Sequence, residues 1–117
     1  MQYVSEIFIL GGLKHLAEID AEIKSILLSE VTQELQVLAM KEKLAVEKSR
    51  LHKSNANIAD QQQTLKSYKQ NTGKRANPNT VLRMQKNINV WNNQTKIYNA
   101  GIKKFQSRIV DLLKKAA

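Results

Sequence analysis

The sequence predicts an all-α protein, an antiparallel helical hairpin of coiled-coil type, on three observations. Helix-favouring Ala, Leu, Lys, Gln and Glu abound, while four glycines, one proline and an aromatic content of 5% argue against a β-sandwich. Beyond Pro78 the apolar residues advance by alternating threes and fours for ten positions, the 3.5-residue period of a coiled coil. The strongest break signal, "NTGKRANPNT", lies between two helical patterns, and a short connection makes neighbouring helices antiparallel. At 117 residues the chain suits a single helical domain, 1–117, divided into an arm 1–72, a turn 73–80 and a basic helix 81–116. The class leaves room for a short extra N-terminal helix.

The chain opens "MQYVSEIFILGGLKHL", where the apolar run Ile7 to Leu10 is far shorter than the ~20 residues that cross a bilayer. No transmembrane segment is expected, nor a cleaved signal, because a basic lead and a small-residue cleavage site are missing. Synthesis in the cytoplasm follows as the expectation. The run reads as a helix start packed on a neighbour, against the sharper alternative of an uncleaved export signal or membrane-touching anchor. Gly11 and Gly12 predict a bend or frayed end.

From Leu13 onward Leu16, Ile19, Ile23, Ile26, Leu27, Val31, Leu35 and Leu38 fall mostly three or four apart, and one amphipathic helix is predicted through them. Val37, Leu44, Leu51, Ile58 and Leu65 then recur every seven residues. Their companions three along, Met40, Glu47, Ser54, Gln61 and Tyr68, are only partly apolar, so this arm carries a lean seam. The polar stretch around 48–72 is read as an exposed extension of the helix or as a region that loosens without a partner, with a break inside 48–63 as the alternative.

At the break, Gly73 can end a helix in a left-handed conformation, and Lys74 and Arg75 suit its carbonyl end. Asn77 can cap the next helix with Pro78 in its first turn; Asn79 and Thr80 are later candidates. The strict seam then runs through Val81, Met84, Ile88, Trp91, Thr95, Tyr98, Ile102, Phe105, Ile109 and Leu112. Such a stripe has to be covered, and the upstream helix is the nearest cover. Gly101, beside Ile102, would permit close approach of another backbone. Membership of the seam places Trp91, Tyr98 and Phe105 in the core rather than on a nucleobase-stacking platform, and makes Met84 filler rather than a ligand.

Chemistry-bearing patterns are sparse. Cysteine is absent, which removes disulfides, thiolate metal sites and a cysteine nucleophile together. His15 and His52 lie 37 positions apart, far from clustered carboxylates, and no Gly-rich phosphate loop, Ser/His/Asp set or paired acid is present. A non-enzyme without cofactor or metal is expected.

Charge is more telling. Residues 1–58 hold seven basic and eight acidic side chains, net −1, whereas residues 59–117 hold twelve and two, net +10. Lys74, Arg75, Arg83, Lys86, Lys96, Lys103, Lys104, Arg108, Lys114 and Lys115 fall mostly outside the seam and predict a basic face for partner binding. The partners in view are an acidic protein surface or further copies of the chain, with nucleic acid or an anionic membrane surface behind them. The nucleic-acid reading has its basic face but lacks a fold signature, and its aromatics are spent on packing.

The stretch "NPNTVLRMQKNINVWNNQTKIYNAGIKKFQSRIVDLLKKA", about 40 residues, resembles the C-terminal helix of type III secretion needle and inner-rod subunits. Those proteins share a Pro-containing bend, a pair of aliphatics, a glutamine, a central aromatic and an aliphatic tail. The matching positions are Asn77, Pro78, Val81, Leu82, Gln85, Ile88, Trp91, Asn92, Ile102, Phe105, Ile109, Leu112 and Leu113. The resemblance implies a hairpin that polymerises through its last helix, is exported without a cleaved signal, and lines or anchors a secretion conduit. Needle subunits are shorter before the bend, and the inner rod fits this length better. A basic hairpin also looks like the stalk proteins of flagellar and type III export ATPases, which insert an antiparallel coiled coil into a hexamer. Their arms are nearly equal, whereas the upstream arm here is expected to reach roughly 60 residues against about 38 downstream. A small type VII secreted hairpin or a chaperone is a third class, whose Trp-x-Gly turn is replaced by Trp91, Asn92 and Asn93.

Overall fold

A computed structural model describes residues 2–116, and the side-chain surroundings of residues 11–115. The Ile7 to Leu10 run, with its reading as packed helix start or anchor, has its side chains outside that described part. Three α-helices follow one another: α1 (Gln2–Leu28), α2 (Gln33–Thr72) and α3 (Pro78–Ala116), with a single 3-10 turn at Gly73–Arg75 between the last two. The protein is all-α, and α2 and α3 pack along each other as an antiparallel hairpin. A helix of 40 residues at 1.5 Å per residue is about 60 Å long, which accounts for the 64 × 25 × 16 Å shape.

The first reversal, at residues 29–32, was not expected. Ser29 ends α1 by donating its N–H (3.2 Å) and hydroxyl (2.5 Å) to the Ile26 carbonyl. Thr32, extended at φ −62° and ψ 155°, accepts the Leu35 N–H on its hydroxyl at 3.3 Å and caps α2. Gln36 reaches back from the first turn of α2 to the carbonyls of Leu27 and Ser29, each at 3.4 Å. The orphan groups of both helix ends are thereby partly met without a glycine or proline.

The second reversal follows the expected residues more closely. Gly73 sits at φ +51° and ψ −123° and donates to the Lys69 carbonyl, a backbone shape that a side chain would oppose. Asn77 is the cap of α3: its side-chain oxygen accepts the Asn79 N–H at 3.0 Å, and Pro78 occupies the first helical position, where no donor is needed. The basic helix therefore starts at 78 rather than 81. Tyr68, on the inner face of α2, accepts the Asn77 N–H on its hydroxyl at 3.0 Å and ties the turn down.

Two apolar clusters form the core. At the open end of the hairpin Ile19 and Ile23 of α1 meet Val37 and Met40 of α2 and Phe105, Ile109 and Leu112 of α3, flanked by Leu16, Ile26, Leu27 and Leu44. Nearer the tip Ile58, Leu65 and Ile88 are buried, with Val81, Met84 and Trp91 packed against them. Each fully buried aliphatic or aromatic side chain contributes about 1.5–3 kcal/mol, so most of the driving force is at the three-helix end. Asp20 pairs with Lys104 and His15 meets Tyr98, so α1 runs parallel to α3 along the groove that α3 makes with α2.

The extra N-terminal helix is 27 residues long, not short. It passes through Gly11 and Gly12 without a break, and Gly12 is buried where an added Cβ would meet the side chain of Ile97. Close packing, not a bend, explains that glycine. α2 is equally continuous across 48–63. The eight apolar residues from Leu16 to Leu38 do not form one stripe: Val31 lies in the reversal, Leu35 and Leu38 beyond it, and all three are exposed. With the break at 29–32, the hairpin arms are 40 and 39 residues, nearly equal.

Candidate partner-binding surface

The seam of α3 is spent on the fold. Ile88, Ile102, Phe105, Ile109 and Leu112 are buried, and Val81, Met84, Trp91, Thr95 and Tyr98 half-buried. Off the seam Leu82, Val110 and Leu113 are about half exposed. Trp91 and Phe105, 14 positions apart, return to the same side of a helix wound at 3.5 residues per turn, which is why the stripe stays covered along its whole length.

The seam of α2 carries polar residues at its centre, and each finds a partner there. Glu47, 1% exposed, accepts from His15 Nε2 at 3.0 and 3.1 Å and from Arg50 Nη1 at 2.6 Å. The His15 ring stands edge-on to Tyr98 at 5.7 Å. Gly101 completes the junction: a Cβ there would lie 2.7 Å from both Glu47 Oε2 and Ile19 Cδ1. Two helix turns nearer the tip, Ser54 Oγ and Thr95 Oγ1 are 2.8 Å apart, and Thr95 also donates to the Trp91 carbonyl at 3.0 Å. This titratable cluster is an interlock of three helices, because its carboxylate is buried and both acceptor oxygens are occupied. Among the described residues, no three His, Cys, Asp or Glu side chains come together as metal ligands.

The basic residues divide into two sets. Lys104 holds Asp20 at 2.9 and 3.1 Å, and Arg108 lies 3.8 Å from Asp111 on its own helix. These two members of the predicted partner face serve the three-helix end instead, along with Lys43 near Glu22 and Arg50 on Glu47. Apart from Arg50–Glu47, whose carboxylate is buried, these are exposed pairs that contribute about 0.2–1 kcal/mol each. Lys86 is half-buried and engaged within the protein. Lys96, Lys103, Lys114 and Lys115 are exposed along the distal half of α3.

The second set surrounds the tip. Lys74 and Arg75 are exposed on the turn, Arg83 on α3, and Lys66 and Lys69 on the facing part of α2. With Ser54 opposite Thr95, twelve residues forward on α2 and twelve back on α3 bring Lys66 level with Arg83. All five cations therefore lie within about 15 Å of the end of the rod. Lys66 and Lys69, on α2, lie outside the predicted basic face, which follows the turn and α3; the antiparallel register brings them beside it. Among the described ion pairs, none involves these five residues.

Exposed apolar side chains gather at the other end. Leu28, Val31, Leu35, Leu38, Val110 and Leu113 are each about half exposed or more, and Leu113 borders a shallow cleft with Thr32, Gln33, Glu34 and Val37. No described helix is long and apolar enough to cross a membrane. Compared with protein-family models, curated proteins and solved structures, the chain matches none.

Proposed function

We propose that this chain is a non-enzymatic helical-hairpin adaptor of a bacterial protein-secretion apparatus, acting as a stalk-like rod that engages protein partners. The observation that carries the reading is the near equality of the α2 and α3 arms, 40 and 39 residues, joined by a tight capped turn. Unequal arms were the feature that set the sequence apart from export-ATPase stalk proteins, and the reversal at 29–32 removes it. The resemblance of residues 77–116 to needle and inner-rod helices supports the secretion setting. Polymerisation through the last helix fits less well, since the α3 seam is already covered by α2 and α1. A needle or inner-rod assembly would have to use the exposed apolar residues of the open end, Leu35, Leu38 and Leu113 among them.

Light scattering over a dilution series, paired with ATPase assays on a hexameric export ATPase, tests the reading. A monomer that raises ATP hydrolysis is expected. Filaments or large oligomers that resist dilution, without any effect on the ATPase, would favour the rod-forming assembly instead.

A further inference from the structure

Resting on that adaptor reading, we infer that the hairpin tip is the docking end and that its partner is an acidic protein surface, gripped by Lys66, Lys69, Lys74, Arg75 and Arg83. From residue 61 to residue 88, the whole distal hairpin, six Lys/Arg stand against no Asp or Glu. Fold stability explains only part of this. Lys69, Lys74 and Arg75 lie at the carboxyl end of α2, where the helix dipole favours cations. Lys66 is a full turn further in, and Arg83 lies near the amino end of α3, whose first turn holds no acid. The dipole, which fades within the terminal turn, accounts for neither. Five exposed cations within about 15 Å also repel one another across distances comparable with the ~8 Å screening length at physiological salt. An acidic partner would turn that repulsion into attraction and fix the orientation of the rod.

Other polyanions fit the tip poorly. Two packed helices together are about 20 Å across, too wide for a DNA major groove about 12 Å wide. Single-stranded nucleic acid asks for exposed aromatic platforms, but Tyr68 is bonded to the turn and Trp91 packs in the tip core. A membrane surface asks for apolar side chains beside the cations, and Leu82 is the one large apolar residue of 61–88 among the exposed. The surface between the cations is instead rich in amides, with Gln62, Gln63, Gln70, Asn71, Asn77, Asn79 and Gln85 exposed. Amides add hydrogen bonds to carboxylates and backbone without adding charge.

The test uses the full chain at 150 mM NaCl with four probes: labelled poly-L-glutamate, a 20-base-pair DNA duplex, oligo(dT), and vesicles containing phosphatidylserine. The tip variant carries K66Q, K69Q, K74Q, R75Q and R83Q; a control carries K14Q, K24Q, K41Q, K48Q and K53Q, exposed lysines away from the tip and outside the predicted basic face, with the same change in net charge. Poly-L-glutamate should bind the wild type most tightly, about tenfold more weakly to the tip variant, and within about twofold of wild type to the control. Circular dichroism should show unchanged helicity in both. Equal losses in the two variants, no binding to poly-L-glutamate, or tighter tip-dependent binding to DNA, oligo(dT) or vesicles would each overturn the inference. A monomer that activates the ATPase but fails this test loses the tip assignment alone; a filament whose tip still binds poly-L-glutamate loses the adaptor reading alone.

Discussion

Gly101 of α3 faces Glu47 of α2 so closely that a methyl group on the glycine would sit 2.7 Å from Oε2, with Ile19 of α1 at the same distance on the other side. All three helices meet at this point because α3 has no side chain there. Two effects oppose each other in Gly101→Ala. Alanine raises helix propensity by about 1 kcal/mol, whereas overpacking costs about 1–3 kcal/mol. The atoms met are the ends of the Glu47 and Ile19 side chains, but Glu47 can move only by giving up bonds to His15 or Arg50, so a net loss of stability is expected, read as a lower urea midpoint. An unchanged or raised midpoint would mean the junction is slack.

The same carboxylate makes α1 dependent on His15. Removing one partner of a buried charged hydrogen bond costs about 1.5–3 kcal/mol. His15→Ala should therefore loosen α1 selectively, since the α2–α3 seam does not pass through it. Faster proteolysis at residues 29–32 and faster amide exchange in α1, with the tip core unaffected, are the expected results. Uniform exchange throughout the molecule would contradict this.

Across the seam, Thr95 gives its hydroxyl hydrogen to the Trp91 carbonyl, so Ser54 is the donor in the 2.8 Å contact between them. Thr95→Val leaves the buried Ser54 hydroxyl without its acceptor, at a cost of about 1–3 kcal/mol, while Ser54→Ala removes the donor and costs about 1 kcal/mol. Combining them should cost less than their sum. A double-mutant cycle by chemical denaturation measures the difference, and simple additivity would show that the bond carries no coupling.

Gln61 presents the opposite case. Its Nε2 donates to Asn57 at 3.2 Å, but its Oε1 is buried with no hydrogen-bond partner. Replacing an under-satisfied buried amide by a group of similar size removes a desolvation penalty of about 1–3 kcal/mol. Gln61→Leu should raise the melting temperature, and a drop of several degrees would speak against an unmet acceptor at this seam position.

The sequence made the interior of the hairpin legible and the position of α1 illegible. The spacing of Val81 through Leu112 picked out every fully buried side chain of α3, though not Ile97, which meets Gly12, and the paired series from Val37 to Tyr68 picked out those of α2, including polar Glu47 and Ser54. Period survives in sequence because burial on a helix is periodic. The reversal at 29–32 was hidden because Val31 keeps the apolar step across it and neither glycine nor proline marks it. Ser29 and Thr32 were the available signs, each a residue that bonds its own backbone. The grouping of the cations was illegible for a different reason. Charge along a chain does not reveal which cation meets an acid 84 positions away, as Lys104 meets Asp20.

That separation sets a schedule for synthesis. Ile19 and Ile23 leave the ribosome long before Phe105 and Ile109, the residues they lie against in the finished protein. At 5–20 residues per second, translating the intervening chain takes roughly 4–17 s. During those seconds the leading helix can cover its aliphatics only against Val37 and Met40 of α2, the smaller part of the cluster they finally join. A chain stopped before the final helix would lack Phe105, Ile109 and Leu112, and that cluster would stay half built.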